Sequence, residues 1–257
     1  MTNLKDETVL ITGASSGIGA ACARAFAAEG ARLILAARRR ERLDALAAAL
    51  DADTLTFPLD VRDRAAVDAV LDALPEEWRD IDVLVNNAGL SRGLETLHEG
   101  DPADWEEMID TNVKGLLWLT RAVVPGMVAR DRGHVINIGS VSGREVYPNG
   151  AVYCATKFAV HALTTGLRID LKGTRVRTST VDPGMVESEF SLVRFHGDAE
   201  RADAVYRNFP PLQPEDVAEA VLFCATRPPH VNVGDIILWP VDQKTVTISH
   251  PRGVVDG

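Results

Sequence analysis

Near the start of the chain a short β-branched run, Thr8-Val9-Leu10-Ile11-Thr12, passes into Gly13-Ala14-Ser15-Ser16-Gly17-Ile18-Gly19 and then into an alanine-rich stretch ending at Gly30. Strand, glycine turn and helix in that order leave few folds open. Glycines at 13, 17 and 19 let the backbone reverse tightly, bring the main chain close to a pyrophosphate, and pack helix against strand. The first N–H groups of the helix then face the phosphates. The spacing is Gly-x-x-x-Gly-x-Gly rather than the commoner Gly-x-Gly-x-x-Gly, but its place at the first strand-to-helix junction points to nucleotide binding.

The alternation of strand and helix continues along the chain. Residues 32–36 read as a second strand, and 54–59 as a third, with Asp60-Val61 at its end. Residues 81–85 form a fourth, near-continuously apolar strand that ends in Asn86-Asn87-Ala88-Gly89. Asp101-Pro102 opens one long helical stretch from Trp105 to Val123, with Asn112 as a polar residue inside its apolar stripe. A fifth strand over 133–139 ends at Ser140, and a sixth over 176–181 ends in Asp182-Pro183-Gly184. Residues 185–213 have weak periodicity and read as a partly ordered flap over the site. Pro214 starts a last helix, 235–240 is a seventh strand, and a tail runs from Val241. The whole of 1–257 therefore reads as one α/β domain of Rossmann type, a doubly wound sheet flanked by helices.

A net charge of -10 and a pI near 5.1 argue against nucleic acid or an anionic membrane surface as partner, and leave a small-molecule substrate. No apolar run approaches membrane-spanning length, and the polar residues 1–7 lead straight into the first strand without a leader pattern. Cys22, Cys154 and Cys224 are far apart, lack metal-ligand spacing and fit a reducing cytoplasm, so no metal is expected.

Two places carry chemistry. At the end of the second strand a NAD-specific unit would present an acid to the ribose 2'-hydroxyl, whereas here the chain runs Ala37-Arg38-Arg39-Arg40. Arginines there suit a 2'-phosphate, so the cofactor expected is NADP(H), with Arg38 on the phosphate, Arg39 beside it and Arg40 in solvent. Further on, Tyr153 and Lys157 lie four apart at the start of a helix, on one face. An ammonium beside a phenol lowers the phenol's pKa and makes a general acid/base for a carbonyl/alcohol couple.

The ordered set Thr12-Gly13-Ala14-Ser15-Ser16-Gly17-Ile18-Gly19, Asn86-Asn87-Ala88-Gly89, Asn112, Ser140, Tyr153-x-x-x-Lys157 and Pro183-Gly184 resembles the short-chain dehydrogenase/reductase family from about residue 8 to about 240. The resemblance implies seven parallel strands, a homotetramer and hydride transfer by NAD(P)H. It implies Tyr153 as proton donor, Ser140 as the hydroxyl polarising the carbonyl oxygen, and Asn112 as holder of a relay water. Lys157 would lower the tyrosine pKa and bind the nicotinamide ribose. Asp60 would contact adenine, Ser15 the 2'-phosphate, and Ser188 the nicotinamide amide; Val61, Asn87, Ala88, Gly89, Pro183, Gly184 and Val186 would complete the cofactor site.

Within the family the likeness is closer to NADP-dependent 3-hydroxy acid dehydrogenases acting on serine, L-allo-threonine or 3-hydroxypropionate, or reducing malonic semialdehyde. It is carried by residues 108–115, 134–140, Val193-Arg194-Phe195 and 212–217. A carboxylate substrate needs a cation, for which Arg194 is the first choice, Arg144 the second and Arg92 the third. Glu187 and Glu189 stand beside that pocket and would oppose a carboxylate unless they face away. The alternatives are a general carbonyl reductase for larger aldehydes or ketones, and a non-catalytic NADPH-binding regulatory protein.

Overall fold

The computed structural model describes residues 4–206 and 209–249. Among them seven strands form one sheet: β1 Thr8–Thr12, β2 Arg32–Ala37, β3 Thr54–Pro58, β4 Ile81–Asn86, β5 Gly133–Ile138, β6 Val176–Pro183 and β7 Asp235–Leu238. Their order is β3-β2-β1-β4-β5-β6-β7 and every pairing is parallel. The order reverses between β1 and β4, so the crevice at their carboxyl ends is where a sheet of this kind takes a ligand.

Helices cover both faces, which is why the central strands β1 and β4 are buried along their whole length. Side chains alternate along β1: Val9 and Ile11 join one core with Phe26 of α1 (Gly17–Ala28) and with Val217 and Val221 of α9 (Pro214–Ala225). Leu10 faces the other way, with Val67 of α3 (Arg64–Asp72) and Leu119 and Val123 of α5 (Leu116–Ala129). The remaining helices are α2 Arg40–Ala49, α4 Pro102–Ile109, α6 Ala151–Asp170, α7 Phe190–Arg194 and α8 Ala199–Ala204. All three cysteines are buried free thiols.

Three expectations are corrected. The stretch after Pro102 is not one regular helix: α4 and α5 are joined by a π-helical turn, Asp110–Gly115. Two anchors account for the widened turn. Asn112 is tied to the backbone of Leu90, and Gly115 lies so close to Val61 that an added Cβ would stand 2.6 Å from Val61 Cγ2. The segment 185–213 is more ordered than its periodicity suggests, since α7 and α8 lie within it and Val186 bridges to Leu212. The tail from Val241 turns back on the domain as far as Ser249: buried Gln243 accepts the Met185 N–H at 2.9 Å, and the Val246 N–H reaches Glu145. The last residues, 250–257, lie outside the described chain. No helix among the described residues is long and apolar enough to cross a membrane.

One buried acid makes stability depend on pH. Glu7 sits beside Asp82, and burial first, then the Asp82 charge, raise its pKa to about 7 against the partial opposition of Arg132. Above pH 7 the folded chain holds this carboxylate ionised at a cost; between pH 7 and 4.5 it binds a proton that the unfolded chain does not yet bind, and the cost disappears. Glu7→Gln should therefore raise stability at pH 8 by about 1 kcal/mol, allowing for solvent screening, and give no advantage at pH 5. Urea unfolding of both proteins at the two pH values checks this; an equal shift at both would remove Glu7 as the cause.

Candidate active site

The glycine turn between β1 and α1 is built to admit a ligand close to the main chain. Gly13 and Gly17 hold positive φ, +66° and +51°, and a Cβ on Gly19 would stand 2.5 Å from the Gly13 carbonyl oxygen. Ser16, the residue before α1, makes no side-chain cap bond, so the first N–H groups of the helix stay open to an anion. Asn87 locks the turn from β4 by donating its amide to Thr12 O at 2.9 Å. Thr12 Oγ1 in turn accepts the N–H groups of Asn87 and Ala88.

Over these strand ends lies a cavity of about 550 Å³ that takes in the sequence-predicted residues Gly13, Ser15, Ser16, Gly17, Ile18, Arg38, Arg39, Asp60, Val61, Asn87, Ala88 and Gly89. Ser140, Tyr153, Lys157, Pro183, Gly184, Val186, Ser188 and Arg194 line it as well. Gly19 lies beneath the turn. Asn112, Arg144 and Arg92 are not on the wall. A pyrophosphate-sized approach at the glycines, with arginines and serines at the end of β2, is a donor set that fits a phosphorylated dinucleotide.

At that end both arginines line the cavity but have different partners. Arg39 donates to Ser16 Oγ at 2.7 Å and to Ser15 Oγ at 3.2 Å, whereas Arg38 only approaches Glu107, at 3.8 Å. Arg40 is exposed and pairs with Asp44 on its own helix. Asp60 is gripped by Arg62, whose hydrogen bonds hold its carboxyl below the usual range.

At the other end Tyr153 and Lys157 stand on the first two turns of α6, one turn apart on one face, both buried. Burial first, then Tyr147, push the Tyr153 pKa up, opposed by Arg194 and by a hydrogen bond to Ser140. Lys157 Nζ stands 5.9 Å from the tyrosine ring centroid and donates to Ile138 O at 2.9 Å. Burial lowers its own pKa to about 8, against the Asp182 charge. The arrangement holds a protonated phenol next to a serine hydroxyl, a proton donor aimed at one point of the cavity. Ser140 Oγ also accepts the Ser142 N–H at 3.1 Å, which fixes its direction.

The Asn112 side chain makes three hydrogen bonds. Its Oδ1 accepts the Leu90 N–H at 2.8 Å, and its amide donates to Leu90 O and to Thr156 Oγ1. Of the three candidate arginines, Arg144 is taken by Asp182, at 2.7 Å, and by Asp235, while Arg92 pairs with Glu107 at 2.7 Å and donates to Val193 O. Neither faces the cavity, and both are withdrawn as carboxylate ligands. Arg194 does face it, 5.4 Å from the Tyr153 ring centroid and 5.2 Å from that of Phe190, and donates to Tyr147 Oη at 2.8 Å. Tyr147 is the residue that sequence reasoning missed; it sits in an irregular loop and carries no motif. Glu187 is engaged by Gln213, and Glu189 by Arg39 and Arg42, so neither acid opposes Arg194.

Comparison with known proteins agrees with this geometry. The family model for short chain dehydrogenases matches residues 7–197. The chain is 52% identical over 245 residues to the NADP-dependent 3-hydroxy acid dehydrogenase YdfG of Salmonella typhi, covering 95% of this chain and 99% of that protein. It is 45% identical over 248 residues to the NADP-dependent 3-hydroxy acid dehydrogenase of Schizosaccharomyces pombe, covering 95% and 96%. Among solved structures, the closed form of a serine dehydrogenase complexed with NADP+ has a TM-score of 0.90 and 47% identity over 95% of this chain and 99% of that one. A metagenomic short-chain oxidoreductase in complex with NADP has a TM-score of 0.78 and 32% identity over 93% and 100%. With the model match spanning most of the chain and the sheet, glycine turn and Tyr153–Lys157 pair in the expected places, the protein belongs to the short-chain dehydrogenase family.

Proposed function

We propose that the protein is an NADP(H)-dependent oxidoreductase acting on the CH–OH group of a small 3-hydroxy acid of the serine, L-allo-threonine or 3-hydroxypropionate type. The cofactor, when bound, carries the hydride at its nicotinamide. Ser15, Arg39 and Arg38 hold its 2'-phosphate, and the glycine turn its pyrophosphate. Asp60 and Val61 flank the adenine, while Lys157 and Ser188 serve the nicotinamide end. Tyr153 gives its proton to the carbonyl oxygen, or receives one from the alcohol, and Ser140 holds that oxygen in place. Asn112 acts by pinning Leu90 and Thr156, which keeps α6 and the end of β4 in register. The segment over 185–213 closes the substrate end.

The observation that carries the acid as substrate is Arg194: a guanidinium inside the cavity, beside Tyr153, with no carboxylate of the chain paired to it among the described residues. A carboxylate placed there keeps its charge only if a cation meets it. Losing one charge-assisted contact of that kind costs about 1.5–3 kcal/mol, roughly ten- to a hundredfold. Arg194→Met should therefore raise KM for 3-hydroxy acids by that factor and leave a neutral alcohol or aldehyde of similar size nearly unchanged. An equal rise for both would mean that Arg194 only props the wall.

A homotetramer accompanies this reading. Phe158 and Ile169 on α6, with Leu117 and Val128 on α5, are apolar and more than a third exposed, which suits faces buried against other copies. Light scattering at micromolar concentration should give four times the chain mass; a monomer mass would refute it.

A further inference from the structure

The single turn of α7 touches both ends of the cavity. Just before it, Glu189 gives one carboxylate oxygen to Arg39 Nη1 at 2.8 Å and the other to Arg42 Nη1 at 2.6 Å. The same Arg39 holds Ser15 and Ser16 in the glycine turn. Two guanidiniums grip one anion, one of them resting on serine hydroxyls, and such guanidinium pairs are donors that a phosphate monoester takes. Hydrogen bonds from Arg42, then Arg39, keep Glu189 ionised. Phe190, the first residue of the turn, meets Tyr153 edge-on, centroids 5.6 Å apart, and Arg194, its last, stands over the same ring.

We propose that Glu189 is a specificity-determining residue: from within the segment over the cavity it occupies the seat of the NADP 2'-phosphate, and phosphate binding displaces it and moves α7 at Tyr153. The proposal rests on the assignment of that phosphate to Ser15 and Arg39. Two anions on one guanidinium repel each other, so Glu189 and a doubly charged phosphate do not share Arg39. NAD(H) brings only an uncharged hydroxyl to this place, does not compete with Glu189 for Arg39, and leaves α7 where it is. Phosphorylated and unphosphorylated cofactors thus set α7 differently, and by reciprocity the substrate held at Arg194 responds to the 2'-phosphate. The latch is light, because Glu189, Arg39 and Arg42 are 39%, 42% and 48% exposed and such pairs contribute little.

The test measures Kd for NADP+ and NAD+ by fluorescence titration, and KM for 3-hydroxypropionate with each cofactor, in the parent, Glu189→Gln, Glu189→Ala and Arg39→Ala. Both Glu189 variants should bind NADP+ about two- to fivefold more tightly, the range expected from one exposed ion pair, and NAD+ as before. In both, KM with NAD+ should move to the value found with NADP+. Arg39→Ala should weaken NADP+ about tenfold or more and spare NAD+. If Arg39→Ala affects both cofactors alike, or neither, the phosphate assignment falls, whatever the Glu189 variants do. If Arg39→Ala behaves as stated while the Glu189 variants leave both ratios unchanged or weaken NADP+, Glu189 is a surface ion-pair partner only and the latch is overturned.

Discussion

In the Tyr153→Phe variant kcat falls by roughly 10²–10⁴-fold, the range for a lost general acid, while NADP+ affinity and Tm stay close to those of the parent. The substitution removes one oxygen and leaves the ring packed on Phe190, Leu90 and Met108, so the wall keeps its shape. The loss of one hydrogen bond from Ser140 costs about 1 kcal/mol of stability at most. The burial that raises the phenol's pKa also fixes the pH behaviour. A phenol with a raised pKa stays protonated through the neutral range, so carbonyl reduction should not lose its proton donor until strongly alkaline pH. A variant keeping more than about a tenth of kcat, with the parent's alkaline limb, would take the proton-donor role from Tyr153.

What the sequence discloses and what it hides divide along the range of the interactions. Strand positions, the glycine turn and the Tyr153–Lys157 pair are local patterns, fixed by periods of two and 3.6 residues and by torsions that glycine alone adopts freely. The same reasoning finds the strand ends that meet at the cavity, because a parallel sheet places them all on one edge. It fails where a long side chain chooses between partners far away in sequence. Arg144 looks free beside Ser140 until β6 brings Asp182 to it, across 38 residues. Arg38 and Arg39 are adjacent, and it is Arg39, extended at φ -95° and ψ 90°, that reaches the serines, a choice the sequence pattern does not show. The π-helical turn depends on Leu90 and Val61, neither of which a helical period can reveal. Helical spacing puts Lys157 beside Tyr153, yet the Ile138 carbonyl captures its ammonium, a partner that becomes visible only once β5 and α6 are packed.

Lys157→Met should separate function from stability in opposite directions. The ammonium is buried, and burial has brought its pKa from 10.5 to about 8. Below pH 8 the folded chain holds that charge in an apolar setting, at a cost of about 1.4 kcal/mol for each pH unit between the unfolded and the folded value. Methionine matches the length of the stem, fills the site and removes the charge, losing only the Ile138 hydrogen bond of about 1 kcal/mol. The net gain in unfolding free energy at pH 7 should be about 2 kcal/mol. Because the folded pKa lies below the unfolded one, the gain is full below pH 8 and disappears between pH 8 and 10.5. Activity should move the other way: without the cation proposed for the nicotinamide end, kcat/KM should fall roughly ten- to a hundredfold, the loss of one charge-assisted contact. Such a buried, strained charge would be kept for the reaction at the fold's expense. Urea titrations at pH 7 and pH 10, beside kcat/KM at pH 7, decide the matter. A variant that is both less stable at pH 7 and fully active would show that Lys157 is a structural strut and that its charge does nothing for hydride transfer.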